Sequence, residues 1–240
     1  MKRGDLPLAL VTVLALGCAP GAADAATLTV DAKSNIFGAG HAVAPDPGGG
    51  GGGMLPASYA FPAGPGQVLE FSSVTGLISC CGSPAYVGNG PDGNGHASGS
   101  TDILSHGGIS GIVHGQRTMF LVAVFLDGGE PSDPAPARLD FGALALGDGF
   151  TTLSPQLRQV FFVGDGLTGT GSGATQVFHV PAGATRVFFG FADAYQFGNP
   201  ISPPGYYDDN VGELDVEFDV TSGPTPALGR SWGRLKTIYR

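Results

Sequence analysis

The eight residues Glu213-Leu-Asp-Val-Glu-Phe-Asp-Val220 alternate acid and apolar side chain without a break. Period two sets Leu214, Val216, Phe218 and Val220 on one face and four carboxylates on the other, which describes a strand with a core on one side and water on the other. Upstream, Thr185-Arg-Val-Phe-Phe-Gly-Phe191 is apolar and aromatic, as expected of a buried strand. Between the two lie Asp193 and the segment Pro203-Pro-Gly-Tyr-Tyr-Asp-Asp-Asn-Val-Gly212. Gly205 and Gly212 bracket this loop, and Asp208, Asp209 and Asn210 supply oxygens side by side.

The remaining chain agrees with this architecture. It holds 42 Gly, 19 Pro and 15 Phe in 240 residues, with a mean hydropathy of +0.16. Many turns joining short apolar strands predict an all-β protein, an antiparallel β-sandwich with long Gly/Pro-rich loops. Further strands are expected at Thr27–Val30, Gln67–Phe71, Gly107–Val113, Phe141–Gly149, Gln159–Val163 and Gln176–Val180. Thr118–Leu126 is apolar throughout and predicts a central strand buried on both faces. Asp165–Ala174 reads as a Gly/Thr/Ser turn, and His106 and His114 as surface residues.

The domain organisation follows from composition shifts. Residues 1–25 have a basic start at Lys2 and Arg3, an apolar middle from Leu6 to Leu16 and an Ala23-Asp-Ala25 cleavage site, the pattern of a secretory signal peptide. Leu16-Gly-Cys18 offers the alternative of a lipoprotein cleavage box. The apolar middle is too short for a transmembrane helix. Residues 26–221 form the expected sandwich, and 222–240 a linker with a basic tail carrying Arg230, Arg234, Lys236 and Arg240. Gly48–Gly53, six glycines in a row, reads as a flexible spacer, because no Lys-Ser or Lys-Thr follows to make a phosphate cradle.

The Asp193–Asn210 carboxylates repel one another unless water or a cation intervenes. Calcium takes six to eight oxygens from carboxylates, amides and carbonyls, which an irregular loop can supply. The same residues also favour an ordinary solvated turn. Asp92, Asn94, His96 and Ser98 alternate like the start of an EF-hand, but Ile103 stands where the twelfth-position Glu belongs, so that motif is rejected. Cys80 and Cys81 are adjacent, so they are either two thiols or a strained ring.

An Asp after an apolar strand, then Pro-Gly-aromatic, a polar triplet with Asn, Gly and an alternating strand resembles the calcium-dependent galactophilic lectins of the PA-I (LecA-like) family. That resemblance implies a jelly-roll, galactose-binding-like sandwich and a bound Ca2+. It implies Asp193, Asp209 and Asn210 as side-chain ligands, with the backbone carbonyls of Tyr206 and Cys81 completing the shell. His96, Asp193 and Asp209 would then hydrogen-bond a saccharide. The sequence departs from the family in having Asp209 where the family has Asn, and it offers no counterpart for a downstream Gln. The implied function is a secreted or cell-surface bacterial carbohydrate-binding protein. Its partners would be glycans or glycoconjugates, held with avidity from multiple copies in a homo-oligomer. The alternative is a structural exoprotein of the bacterial envelope or matrix, in which calcium only pins a loop.

Other functions are disfavoured. Residues 26–229 carry 18 acidic against 5 basic side chains, and so acidic a body repels nucleic-acid phosphates. No G-x-S-x-G or H-E-x-x-H occurs, and no pair of carboxylates is set at a glycosidase spacing, so no enzymatic activity is expected.

Overall fold

A computed structural model describes residues 25–82, 88–94 and 99–222; the expected leader, His96 and the basic tail lie outside them. Within these residues the chain is all-β, with two single-turn 3-10 segments at Ile36–Gly38 and Tyr195–Phe197. No helix among them is long and apolar enough to cross a membrane.

The largest sheet is built on β3 (Gln67–Ser79) and β14 (Val211–Ser222), antiparallel with Val211 opposite Ser79 and Ser222 opposite Gln67. β1 (Ala26–Asp31) pairs with the other edge of β14, β12 (Val177–His179) with β3, and β8 (Thr152–Leu153) runs parallel to β12. The second sheet orders β2 (Ala57–Ala60), β13 (Arg186–Gly190), β6 (Val122–Leu126) and β9 (Phe161–Phe162), all antiparallel. A small sheet of β4 (Thr101–Ile103), β5 (Ile112–His114) and β7 (Leu139–Asp140) and a hairpin of β10 (Leu167–Gly169) and β11 (Ser172–Thr175) complete the strands.

The alternation of β14 holds in place: Leu214, Val216 and Phe218 are fully buried, while Glu213, Asp215 and Glu217 are exposed. Its partner β3 does not alternate evenly. Leu69 and Phe71 are buried, then Val74 and Ile78. Glu217 faces Ser73 and Phe218 faces Phe71, so Ser72 is the extra residue of a bulge. One inserted residue reverses which face later side chains take, and it is what turns Val74 and Ile78 inward.

Phenylalanines join the two large sheets. Phe189 of β13 meets Phe218 at 4.9 Å and Phe71 at 5.9 Å between ring centroids. Phe161 of β9 meets Phe178 of β12 at 5.1 Å. Burial of each such ring contributes roughly 1.5–3 kcal/mol. β6 is buried at all five positions, as its unbroken apolar run predicts.

Several local expectations are corrected. Phe141–Gly149 is not a strand: Asp140 Oδ1 accepts from Gly142 N at 2.7 Å, Ala145 N returns to Gly142 O, and Leu144 is fully exposed. The Asp165–Ala174 turn is instead the β10–β11 hairpin. The strand expected from Thr118 starts only at Val122, after Met119 takes a left-handed φ of 51°.

His114 is the sharpest of these corrections, for it is buried and not on the surface. It packs on Phe120 and Phe162, its Nδ1 accepts from Gln116 N, and its Nε2 has no hydrogen-bond partner, with Asp148 Oδ2 3.8 Å away. Burial lowers its pKa from 6.5 to about 4, the nearby Arg117 lowering it further while Asp148 and Asp140 oppose. The unfolded chain therefore binds a proton between pH 6.5 and 4 that the folded chain refuses, so stability falls as pH drops through that window. The expected loss is up to about 3 kcal/mol. Urea unfolding at pH 7 and pH 4.5 should show it in the native chain but not in His114→Phe; equal acid sensitivity would remove His114 as the cause.

Candidate metal centre

The sandwich brings three distant segments to one end. Because Ser79 pairs with Val211, the residues just beyond β3 (Cys80 and Cys81) lie beside those just before β14 (Asp209 and Asn210). A Cβ on Gly82 would sit 3.2 Å from the Asp209 carbonyl oxygen. Ala32, which follows β1, accepts from Asn210 Nδ2 at 3.2 Å. From the other sheet, β13 ends at Gly190 and delivers Asp193, whose carbonyl accepts from Gly205 N at 3.1 Å.

Asp193 is the chemical centre of this cluster. It is 3% exposed, and among the described residues no Lys, Arg or His pairs with it. Oδ1 accepts from Ala194 N at 2.7 Å and Oδ2 from Asn210 Nδ2 at 2.9 Å. Burial raises its pKa from 3.8 to about 8; the Asp209 charge adds to the rise, and the hydrogen bonds from Asn210 and Ala194 oppose it. A carboxylate in that position is held either by its own proton or by a cation. Asn210 is fully buried, and its amide nitrogen is committed to two acceptors, Asp193 Oδ2 and Ala32 O. Its Oδ1 is buried with no partner, and an oxygen left so costs roughly 1–3 kcal/mol.

The neighbouring oxygens are unclaimed as well. Among the described residues no hydrogen bond reaches the carbonyl oxygens of Tyr206 and Cys81 or the exposed carboxylate of Asp209. Both backbones are left-handed, with φ of 69° at Tyr206 and 72° at Cys81. The charges of Asp193 and Asp209 also help to raise the thiol pKa values of Cys80 and Cys81, after burial as the main cause. Carboxylate, amide and carbonyl oxygens in this mixture fit a hard cation such as Ca2+. Among the described residues there is no cluster of three or more His, Cys, Asp or Glu side chains; here two carboxylates and an amide are joined by backbone oxygens.

The loop is braced by the six glycines, which do not form a spacer. Gly48 N donates to Pro204 O, Tyr206 N to Gly49 O and Tyr207 N to Gly51 O, each at 2.9 Å. Gly53 N donates to Asp208 Oδ1 at 3.2 Å, and Gly51 N to Asp46 Oδ2 at 3.2 Å. Side chains would not fit: a Cβ would meet Pro203 O at 2.7 Å from Gly48, Asp208 at 2.1 Å from Gly51, and Lys33 O at 2.4 Å from Gly53. The run is a strap whose lack of side chains lets two backbones touch. Asn35 anchors it, donating from Nδ2 to Pro45 O and Gly52 O and accepting at Oδ1 from Phe37 N.

Of the residues singled out in the sequence, Asp193 and Asn210 are hydrogen-bonded to each other, the charges of Asp193 and Asp209 reach Cys81, Tyr206 follows Gly205, whose N–H donates to the Asp193 carbonyl, and His96 is outside the described residues. Asp209 faces solvent whereas Asp193 does not, so of these two carboxylates only Asp209 is exposed to a saccharide. Asn35 and Tyr207 escaped the sequence reading. The Tyr207 hydroxyl, fully buried, donates to Phe191 O at 3.0 Å and accepts from Asp193 N at 2.9 Å, which fixes the backbone that aims the carboxylate. Only the two adjacent tyrosines hinted at it. Comparison with known proteins adds no relative: no family model, curated protein or solved structure matches the chain.

Proposed function

We propose that the Asp193–Asn210 loop is a calcium site and that the chain is a secreted, LecA-like, calcium-dependent carbohydrate-binding protein. The observation that carries this reading is a buried carboxylate without a cationic partner, next to a buried Asn210 oxygen without any partner. Asp193, Asp209 and Asn210 would hold the ion through side chains, and Tyr206 and Cys81 through backbone carbonyls. Bound there, calcium accepts hydroxyl oxygens of a saccharide at its remaining positions. The exposed Asp209 carboxylate is then the chain's own acceptor for a sugar hydroxyl. Tyr207 and the glycine strap keep the oxygens in position before any ligand arrives, which lowers the cost of binding.

A glycan array tests the reading with the full chain, once with excess calcium and once with chelator. Retention that appears with calcium and disappears with chelator is expected. Retention indifferent to chelator would overturn the calcium-dependent mode. Absent retention, with calcium still stabilising the fold, would leave the loop-pinning exoprotein in its stead.

A further inference from the structure

Close in sequence to the candidate centre, an exposed and a half-buried tyrosine ring stand together. Tyr195, two residues after Asp193, is 51% exposed, and its ring centroid lies 5.4 Å from that of Tyr206 at an interplanar angle of 49°. Tyr206 thus belongs to both features, with its carbonyl in the proposed ligand set and its ring in the pair. Gly50 backs the Tyr206 ring, since a Cβ there would sit 2.6 Å from it. Among the described residues no hydrogen bond engages either phenol hydroxyl.

The chain takes an unusual route to present this pair. Gln196 and Phe197 both adopt left-handed backbones, with φ of 48° and 55°, and Gly198 follows at 80°. The turn closes through Phe197 N to Ala194 O and Gly198 N to Tyr195 O, buries Phe197 and leaves Tyr195 and Gln196 outside. Contact fixes it: a Cβ on Gly198 would lie 1.9 Å from Asp102 O. Consecutive non-glycine residues in this region are strained, and such strain gathers where surrounding structure holds a side chain for use.

We infer that Tyr195 and Tyr206 form a stacking platform for the C–H face of a neutral pyranose ring whose hydroxyls sit at the adjacent ion. The inference rests on the calcium-lectin reading and names the ligand class for it. A pyranose presents axial C–H bonds on one face and hydroxyls around its edge, which suits an aromatic surface beside oxygen-seeking groups. Charge selects the neutral class. Asp46, Asp208 and Asp209 are exposed around the loop, and these carboxylates disfavour uronates and other acidic sugars.

The test uses the full chain with calcium and titrates methyl β-galactoside, methyl α-mannoside and methyl β-glucuronide, followed by NMR of the tyrosine rings. A neutral glycoside should shift the Tyr195 ring signals, identified by their absence in Tyr195→Phe. Tyr195→Ala should weaken neutral-glycoside binding by about tenfold, Tyr195→Phe by less than about threefold, and both should keep the calcium-induced rise in melting temperature. Full affinity in Tyr195→Ala overturns the platform while sparing the calcium reading. Equal binding of the glucuronide overturns the neutral class. A native chain that binds no glycoside brings down the lectin reading and the platform together, and the melting response to calcium then shows whether the ion site survives.

Discussion

Gly53→Ala is expected to destabilise the protein by roughly 3–5 kcal/mol, whereas Gly49→Ala, four residues away in the same run, should cost only about 1–2 kcal/mol. Both glycines are left-handed, with φ of 66° and 78°, so both variants carry the backbone penalty of an L side chain there. They differ in what surrounds them. The new methyl at Gly53 would lie 2.4 Å from Lys33 O and 2.5 Å from Tyr207 Cβ, while Gly49 has nothing within 4 Å. Neither obstacle at Gly53 is the loose end of a side chain, so the strap or Tyr207 has to move. Urea midpoints of the two variants against the native chain measure the difference. Equal losses would mean that the strap is not held against the loop.

Calcium is expected to raise the melting temperature markedly, and Asp193→Asn to abolish most of that rise. At a free concentration about a hundred times the dissociation constant, an ion that binds only the native state contributes about 2.7 kcal/mol. For a domain of this size that corresponds to roughly 5–10 °C. Asp193→Asn keeps the shape of the side chain and removes the charge that faces Asn210. Without the ion it should melt close to the native protein or slightly below it, because no buried charge remains but the new amide nitrogen meets a donor at Asn210 Nδ2 or Ala194 N. Differential scanning calorimetry with calcium and with chelator gives both numbers. Identical traces for the native chain in the two conditions would sink the ion site.

How much could be read from the residues depended on whether a segment's neighbours in space are its neighbours in sequence. β14, β13 and β6 are legible because their periodicity or unbroken apolarity states which faces are buried. β3 was recognised only as far as Phe71, since the Ser72 bulge reverses the pattern where Ser and Thr residues already blur it. Phe141–Gly149 misled in the opposite way. Its apolar composition suggested a strand, yet the Asp140 carboxylate and Gly142 close a turn that leaves Leu144 in water.

The candidate site divides along the same line. Asp193, Asp209 and Asn210 were recognisable as oxygen donors in a loop between two strands; β13 and β14 belong to different sheets, and the two meet where Asp193 Oδ2 accepts from Asn210 Nδ2. The brace around them was not. Six consecutive glycines have the composition of a free linker, and only the approach of Asp208 to Gly51 and of Lys33 and Tyr207 to Gly53 shows that a Cβ has no room at those two positions. Asn35 gives no local sign of its role, because its three side-chain hydrogen bonds reach residues 2, 10 and 17 positions away.

The pairing of β3 with β14 also fixes the order in which the molecule can be completed. Its partners are separated by more than half of the chain: Gln67 lies opposite Ser222 and Ser79 opposite Val211. Closing so long a loop costs entropy before its contacts repay it, so this pairing belongs late in folding and slows it. Until β14 emerges, β3 has an open edge, Phe71 lacks its Phe218 neighbour and Cys81 lacks the nearby Asp209 charge. A chain made from its N-terminus thus lacks the cluster around Asp193 until residues 209 and 210 have been added. The cluster closes only when β14 docks, because Asn210, which leads directly into that strand, holds the Asp193 carboxylate.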